Sequence, residues 1–341
     1  MSSSRSEGCT LTGALSVTTA VKDAVTIIHG PAGCAHHNFS LLHALEQEND
    51  YSRVPGIVCT NLREGEVIFG GEEALERLIR KTANKSPGSV FVLSTCVVDT
   101  IGDDLPAVCA QDYGVPVCYI PTSGFLGGVF HTGYENALQT LSEFSNKGEQ
   151  TGGVTLIGEK NLEFEVDQNF QEVSRLLSLL GIEVQLRYVR NISSSRLADL
   201  GKGSLNILRD SSIQRLGEKF HSMFGTPFLD SFPAGFGGTI QFLLDVGEIL
   251  GIDSSKAVFT EEHFQKKVIS KFQDLKGSVV SFTGQSLYAD DSPVMDEMIE
   301  IFDFSPDEKG MEFIVPDPIP VGTSGISRLL HRWRRSSHAR A

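Results

Sequence analysis

Six cysteines, Cys9, Cys34, Cys59, Cys96, Cys109 and Cys118, lie in the first 118 of 341 residues, and none follows. Random scatter would crowd them so about 0.002 of the time, so the bias needs a chemical cause. Three share a context. Cys9 sits in EGCTLTGAL ahead of a helical pattern, and Cys34 ends HGPAGC directly after the apolar run VTIIH. Cys96 sits in STCVVDTIGDD directly after SVFVLS. In a parallel α/β sheet, residues just beyond the strand carboxyl ends gather at one edge, where ligands bind. Cys34 and Cys96 should therefore meet, with Cys9 reaching them from the incoming segment.

Helix N-termini favour negative charge and are expected to lower the pKa of these thiols. Thiolates grouped there suit an iron–sulfur cluster, whose sulfurs accept hydrogen bonds from nearby amides. Gly8, Gly13, Gly30 and Gly33 would let the backbone approach a bulky inorganic group. The three cysteines are 25 and 62 residues apart, so no local C-x-x-C word supports zinc or a ferredoxin-type site. Metal ligation, catalysis and plain burial stay open on spacing alone, and a disulfide framework does not suit a large intracellular chain. Cys59 ends a strand on the same edge, as a buried thiol or an extra ligand; Cys109 and Cys118 read as core thiols. His29 should position the Gly30 turn by hydrogen bonding, while His36 and His37 read as polar residues on a half-exposed first helical turn. Gly70-Gly71 before Glu72 and the bend Gly124–Gly128 lack the lysine of a phosphate loop, so no nucleotide is expected. No G-x-S-x-G word supports a serine nucleophile.

The elements that must hold these residues alternate. Val25–His29, Gly56–Thr60, Ser89–Ser94 and Val115–Ile120 read as buried strands. Leu11–Ala24, Cys34–Leu45, Glu72–Ala83, Asp99–Asp112 and Tyr134–Asn146 read as helices. A polar, glycine-rich stretch, Lys147–Gly153, suggests a boundary. The expected fold is α/β: two Rossmann-like parallel-sheet domains, at 1–150 and 151–255, plus a shortened third α/β unit at 256–327. Residues 328–341 carry five arginines and no acid and read as a solvated basic tail.

The chain is 40% hydrophobic and carries 43 acidic against 29 basic residues, a formal charge of −14. Such a surface repels phosphate backbones, so nucleic acid is not an expected partner. No apolar run approaches the roughly 18 residues of a membrane span. The N-terminus MSSSRSEGC has no signal-peptide character, so a cytoplasmic location is expected.

The words GCTLTGA, HGPAGC, VIFGGEEAL, STCVVDTIGDD and TSGFLGG, with Gly133 and Ala137 beyond, occur in the order seen in the nitrogenase component 1 superfamily. The chain resembles that family over about residues 8–285, through VTLIGEKNLEFEVDQNFQEVSRLLSLLGIEV and FGTPFLDSFPAGFGGTIQFLLDVGEI. The resemblance implies that Cys9, Cys34 and Cys96 ligate an iron–sulfur cluster shared across a subunit interface, either [4Fe–4S] or P-cluster-like. Gly33 would lie beside it, with Cys59 as an extra ligand or neighbour. It implies a homo- or hetero-oligomer with a component 1-type subunit, served by an ATP-dependent iron-protein reductase. The leading expectation is then an oxidoreductase subunit passing electrons to a small-molecule or tetrapyrrole-type substrate. The alternatives are a scaffold for metallocofactor assembly and a shortened structural partner of a full-length subunit.

The departures matter as much. In nitrogenases a second-domain cysteine and a third-domain histidine hold the active-site cofactor. Here the matching region reads SLNILRDSS, with Asp210 near the expected position and no cysteine. Asp210 reads either as a ligand for a harder metal or as a helix cap. The histidine candidates are only His263, His331 and His338, and FPAGFGGTIQFL looks more like the non-catalytic β-type subunits.

Overall fold

The computed structural model describes residues 8–48, 56–125, 128–163, 165–284, 292–316 and 318–338. Its first sheet is built from β1 (Ala24–His29), β2 (Ile57–Cys59), β3 (Ser89–Ser94) and β4 (Val117–Ile120), all parallel, in the order β2-β1-β3-β4. Every residue of β3 is buried, because helices cover both faces of the sheet. Alternate residues serve the two faces. Ile28, Phe91 and Leu93 join Leu11, Leu15, Tyr134 and Leu141 in one cluster; Ile27, Val90 and Val92 join Leu75, Ile79, Val98 and Leu105 in the other.

Seven helices accompany this sheet: α1 (Thr10–Thr18), α2 (Ala32–Glu48), α3 (Glu64–Phe69), α4 (Glu72–Ala83), α5 (Cys96–Ile101), α6 (Leu105–Cys109) and α7 (Phe130–Leu141). Three details differ from the sequence expectation. The first helix ends at Thr18 rather than Ala24, which already belongs to β1. The pattern over Asp99–Asp112 divides into α5 and α6, because Gly102 takes a left-handed conformation (φ 80°) that ends α5. The short α3 was not anticipated, since six residues with no buried face carry no periodic signal.

A second parallel sheet follows, with β5 (Val154–Ile157), β6 (Val184–Tyr188), β7 (Leu205–Leu208) and β8 (Phe228–Leu229) in the order β6-β5-β7-β8. The third holds only β9 (Val279–Thr283), β10 (Ser305–Pro306) and β11 (Met311–Ile314), in the order β10-β9-β11, again parallel. The α/β class with an abbreviated third sheet is thus as expected. The first core cluster continues into the second unit through Ile157, Tyr188, Leu208 and Phe220. Asn161 Nδ2 also donates to Ser16 O at 2.7 Å, locking α1 against the second unit.

The basic tail is a correction. Residues Gly322–His338 form a helix whose Ile326, Leu329, Leu330 and Trp333 are buried in the third-unit core. Their spacing is an amphipathic stripe, and the arginines between them had concealed it. Arg328 and Arg332 pair with Glu165, and Arg334 pairs with Asp274, so the cations clamp the helix in place. The fifth arginine, Arg340, lies outside the described residues, as do Leu126 and Gly127 of the bend. Among the described residues no helix is long and apolar enough to cross a membrane.

Candidate functional site

β1 and β3 are neighbours, with His29 opposite Ser94, so the chain leaves both strands side by side at the carboxyl edge. Cys34 lies in the first turn of α2 and Cys96 is the first residue of α5; both are half-buried. Cys9, exposed, is the N-cap of α1, and its carbonyl accepts the Gly13 N–H at 3.1 Å. What brings Cys9 here is the crossing of α1 and α7. A Cβ at Gly13 would lie 1.9 Å from Phe130 O, and one at Gly133 would lie 1.8 Å from Thr10 O. Gly13 therefore serves helix contact, not approach to an inorganic group as the sequence suggested. Gly30 is likewise taken up by protein, since a Cβ there would meet Thr95 Oγ1 at 2.2 Å. A Cβ at Gly8 would press on Thr12 at 2.9 Å. Only Gly33 of the four faces open space, with nothing within 4 Å.

The cysteines feel one another. Burial pushes the Cys34 thiol up from its ordinary pKa, and negative charge at Cys9, Cys96 and Cys59 pushes it further. The direction is opposite to the lowering expected at a helix start, and its causes are desolvation first and like charge second. Gly124 closes the other side: a Cβ there would lie 3.1 Å from Thr10 Oγ1 and 3.3 Å from Cys96 Sγ. Cys59 Sγ is turned toward the Cys34 loop, donating to Gly30 O at 3.4 Å and accepting the Asn61 N–H at 3.4 Å. Burial raises its pKa, with the Asn61 N–H offsetting part of the rise. Cys109 and Cys118 are pushed up to about 12 by burial in α6 and β4 and play no part in this edge.

Among the described residues, no three His, Cys, Asp or Glu side chains converge closely enough to hold one metal ion. A single tetrahedral ion, with metal–sulfur bonds of about 2.3 Å, needs its thiolates nearly touching. A polynuclear cluster spans more widely separated thiolates, and the all-sulfur donor set at an edge kept open at Gly33 fits one in kind. Three cysteines fall one short of the usual four, so the set calls for Cys59 or a thiolate from another chain.

His29 has the positioning role expected of it. Its ring is fully buried, with Nε2 3.0 Å from Asp103 Oδ2 and Nδ1 3.1 Å from Thr60 Oγ1. Asp103 also accepts the Gly71 N–H at 3.1 Å, and Thr60 Oγ1 accepts the Gly30 N–H at 3.0 Å. Burial lowers the His29 pKa, against the opposing pull of Asp103, so the ring is neutral with its proton on Nε2. No local signal marks Asp103, Thr60 or Gly71 as partners of His29, because residues so far apart meet only once the strand order is set. His36 and His37 are exposed, as expected.

Large apolar side chains stand in solvent around this edge. Phe125 is 72% exposed beside Gly124, and Ile68 and Phe69 are 64% and 89% exposed at the end of α3. Such side chains in groups mark protein contact surfaces.

The second unit has no cysteine, and among its described residues no comparable site is found. Asp210 caps the following turn by accepting the Ser212 N–H at 3.0 Å, and its other oxygen pairs with Lys160. Burial would raise its pKa, but the Lys160 ammonium and the Ser212 hydroxyl hold it down at about 2. Beside it Arg209 pairs with buried Glu163 at 3.1 Å, and Arg187 grips Glu159 at 2.7 and 2.6 Å. These carboxylates are already paired and no thiol accompanies them, so the residues present do not fit a soft-metal cofactor. Exposed His263 bonds its own helix at Phe259 O, while His331 packs edge-on against Phe272. The side chain of His338 lies outside the described residues.

The model of the nitrogenase component 1 type oxidoreductase family matches residues 9–283. The nitrogenase iron-molybdenum cofactor biosynthesis protein NifE of Clostridium pasteurianum is 31% identical over 283 residues, covering 79% of this chain and 60% of that protein. NifE of Methanococcus maripaludis is 29% identical over 293 residues, covering 80% and 59%. The nitrogenase molybdenum-iron protein alpha chain of Clostridium pasteurianum is 25% identical, covering 79% of this chain and 52% of that one. A solved structure, nitrogenase Cp1 at pH 5, superposes with a TM-score of 0.69 at 22% identity, covering 88% of this chain and 63% of its own. The chain thus spans only 52–60% of the length of these relatives.

Proposed function

Because the chain belongs to the nitrogenase component 1 type oxidoreductase family, we propose that it is a cluster-bearing subunit of the scaffold type, holding an iron–sulfur cluster through Cys9, Cys34 and Cys96. The carrying observation is that Cys34 and Cys96 follow neighbouring parallel strands at one sheet edge, with the start of α1, which Cys9 caps, beside Cys96 at Gly124. A cluster bound there supplies a store of iron and sulfide and a one-electron carrier. The chain's own contribution is to fix the thiols: α7 sets Cys9 through the Gly13–Gly133 crossing, and His29 sets the Cys34 turn through Thr60. The missing fourth ligand and the exposed Phe125 support assembly with a second component 1-type chain, completing the cluster at the interface.

Two observations favour the scaffold role over the electron-accepting role that the sequence put first. The acids at the second-unit edge are already taken up in the Lys160–Asp210 and Arg209–Glu163 pairs, and no cysteine stands among them. Two of the relatives carry cofactor biosynthesis in their names. The electron-accepting reading keeps one observation of its own, the exposed Ile68–Phe69 end of α3, which suits docking of an ATP-dependent reductase.

Anaerobic reconstitution with iron and sulfide, followed by metal analysis and electron paramagnetic resonance, tests cluster binding, with Cys34→Ala as the comparison. A wild-type protein that takes up no iron, or a Cys34→Ala variant that takes up just as much, overturns it. Transfer of iron to an apo-acceptor supports the scaffold role; repeated consumption of reductase electrons on a small substrate supports the other.

A further inference from the structure

Two threonines on the first turn of α1 have no part in the ligand set, yet Thr12 touches the sulfur of Cys9 and Thr10 lies near that of Cys96. Thr10 is 1% exposed, and its Oγ1 has no hydrogen-bond partner among the described residues. Leaving a buried hydroxyl unpaired is costly, a penalty that a valine of the same shape would escape. What sets Thr10 apart is the space it borders. A side chain at Gly124 would strike both Thr10 Oγ1 and Cys96 Sγ, and one at Gly128 would meet Thr10 Oγ1 at 3.1 Å. The two glycines bring their backbone close to this hydroxyl and this sulfur with no side chain between. Thr18, toward the other end of the same helix, also lacks a partner for its hydroxyl among the described residues, but it adjoins no cysteine in the chain and is not among the atoms that a side chain at Gly124 or Gly128 would meet.

Thr12 is 2% exposed, and its Oγ1 lies 3.6 Å from Cys9 Sγ. Either atom can donate while Cys9 is a thiol. Once the sulfur is ionised to act as a ligand it has no proton, and the hydroxyl becomes the donor.

We propose that Thr10 and Thr12 donate hydrogen bonds to the sulfurs of the cluster site and raise its reduction potential; this rests on the cluster reading above. A donor to sulfur stabilises the more negative, reduced form, and hydrogen bonds to the sulfurs are among the terms that set cluster potentials. Removing the donor therefore makes the potential more negative.

The test compares wild type with Thr10→Val, Thr12→Val, Thr10→Ser and Thr18→Val, each reconstituted anaerobically and titrated with dithionite and mediators under electron paramagnetic resonance. The two site valine variants should keep their iron and sulfide. Their reduced-to-oxidised ratio at a fixed potential should fall about tenfold, equivalent to about 59 mV for a one-electron couple. Thr10→Ser and Thr18→Val should match wild type. Unchanged potentials in both site valine variants overturn this inference and leave the cluster reading standing, whereas a wild type without iron and sulfide overturns the cluster reading itself. Urea unfolding without metal adds a check on Thr10. An unpartnered hydroxyl predicts a Thr10→Val protein at least as stable as wild type, and a less stable one would assign Thr10 a structural bond instead.

Discussion

His29 Nε2 lies 3.0 Å from Asp103 Oδ2, and neither side chain reaches solvent. The pair ties the end of β1, from which the Cys34 turn departs, to the loop between α5 and α6 and, through the Gly71 N–H, to the start of α4. The protonation of its imidazole bears on folding.

The His29 pKa is lowered in the folded protein, so the unfolded chain binds the proton more readily. Its contribution to stability is complete above about pH 6.5 and is lost as the pH falls toward the lowered folded value. Thermal melts of wild type and His29→Gln from pH 7 to pH 5 should show the wild type losing stability more steeply. Parallel curves would show that His29 does not titrate on unfolding.

Asp103→Ala leaves the buried Nε2–H and the Gly71 N–H without an acceptor, at an expected cost of about 2–4 kcal/mol in urea unfolding. Iron uptake should fall with it, because the Cys34 turn loses its anchor. A cost below about 0.5 kcal/mol, the range of unremarkable surface changes, would remove the pair from its positioning role.

Gly13→Ala and Gly133→Ala force a methyl into backbone carbonyls and should each cost about 3 kcal/mol or more, the upper range for overpacking. Gly33→Ala meets nothing and replaces a helical glycine, so the metal-free protein should gain up to about 1 kcal/mol. If the added methyl crowds the cluster, the same variant should bind less iron. Equal stability losses in all three would deny Gly33 its open face.

Trp333→Ala should cost about 3–5 kcal/mol, as for other buried aromatics, because Trp333 stacks on Phe313 at 4.9 Å between centroids. A tail in solvent would show no loss, so calorimetry of this variant separates the two pictures directly.

In metal-free protein, an alkylating agent followed by mass spectrometry should modify Cys9 first, since it is the exposed thiol. Cys109 and Cys118, raised to about 12 by burial, should resist until the protein unfolds. Early labelling of either would contradict their place in the core.

The sequence by itself determined what is local. Apolar runs such as Ser89–Ser94 had to be strands covered on both faces, and cysteines just past them had to reach one edge, because parallel strands end together. The absence of cysteine after Cys118 and the cap at Asp210 were legible for the same reason. The tertiary structure decided what depends on distant neighbours. Gly13 meets Phe130 because two helices cross, and the Cys34 thiol rises through burial and the charge of three other sulfurs. His29 finds Asp103 only once β1 lies against β3, and the arginine-rich end becomes a core helix because a buried face exists to receive Trp333. Short-range pattern fixes periodicity and caps; desolvation and like-charge repulsion are set by whatever the folded chain places alongside, and no local window contains that.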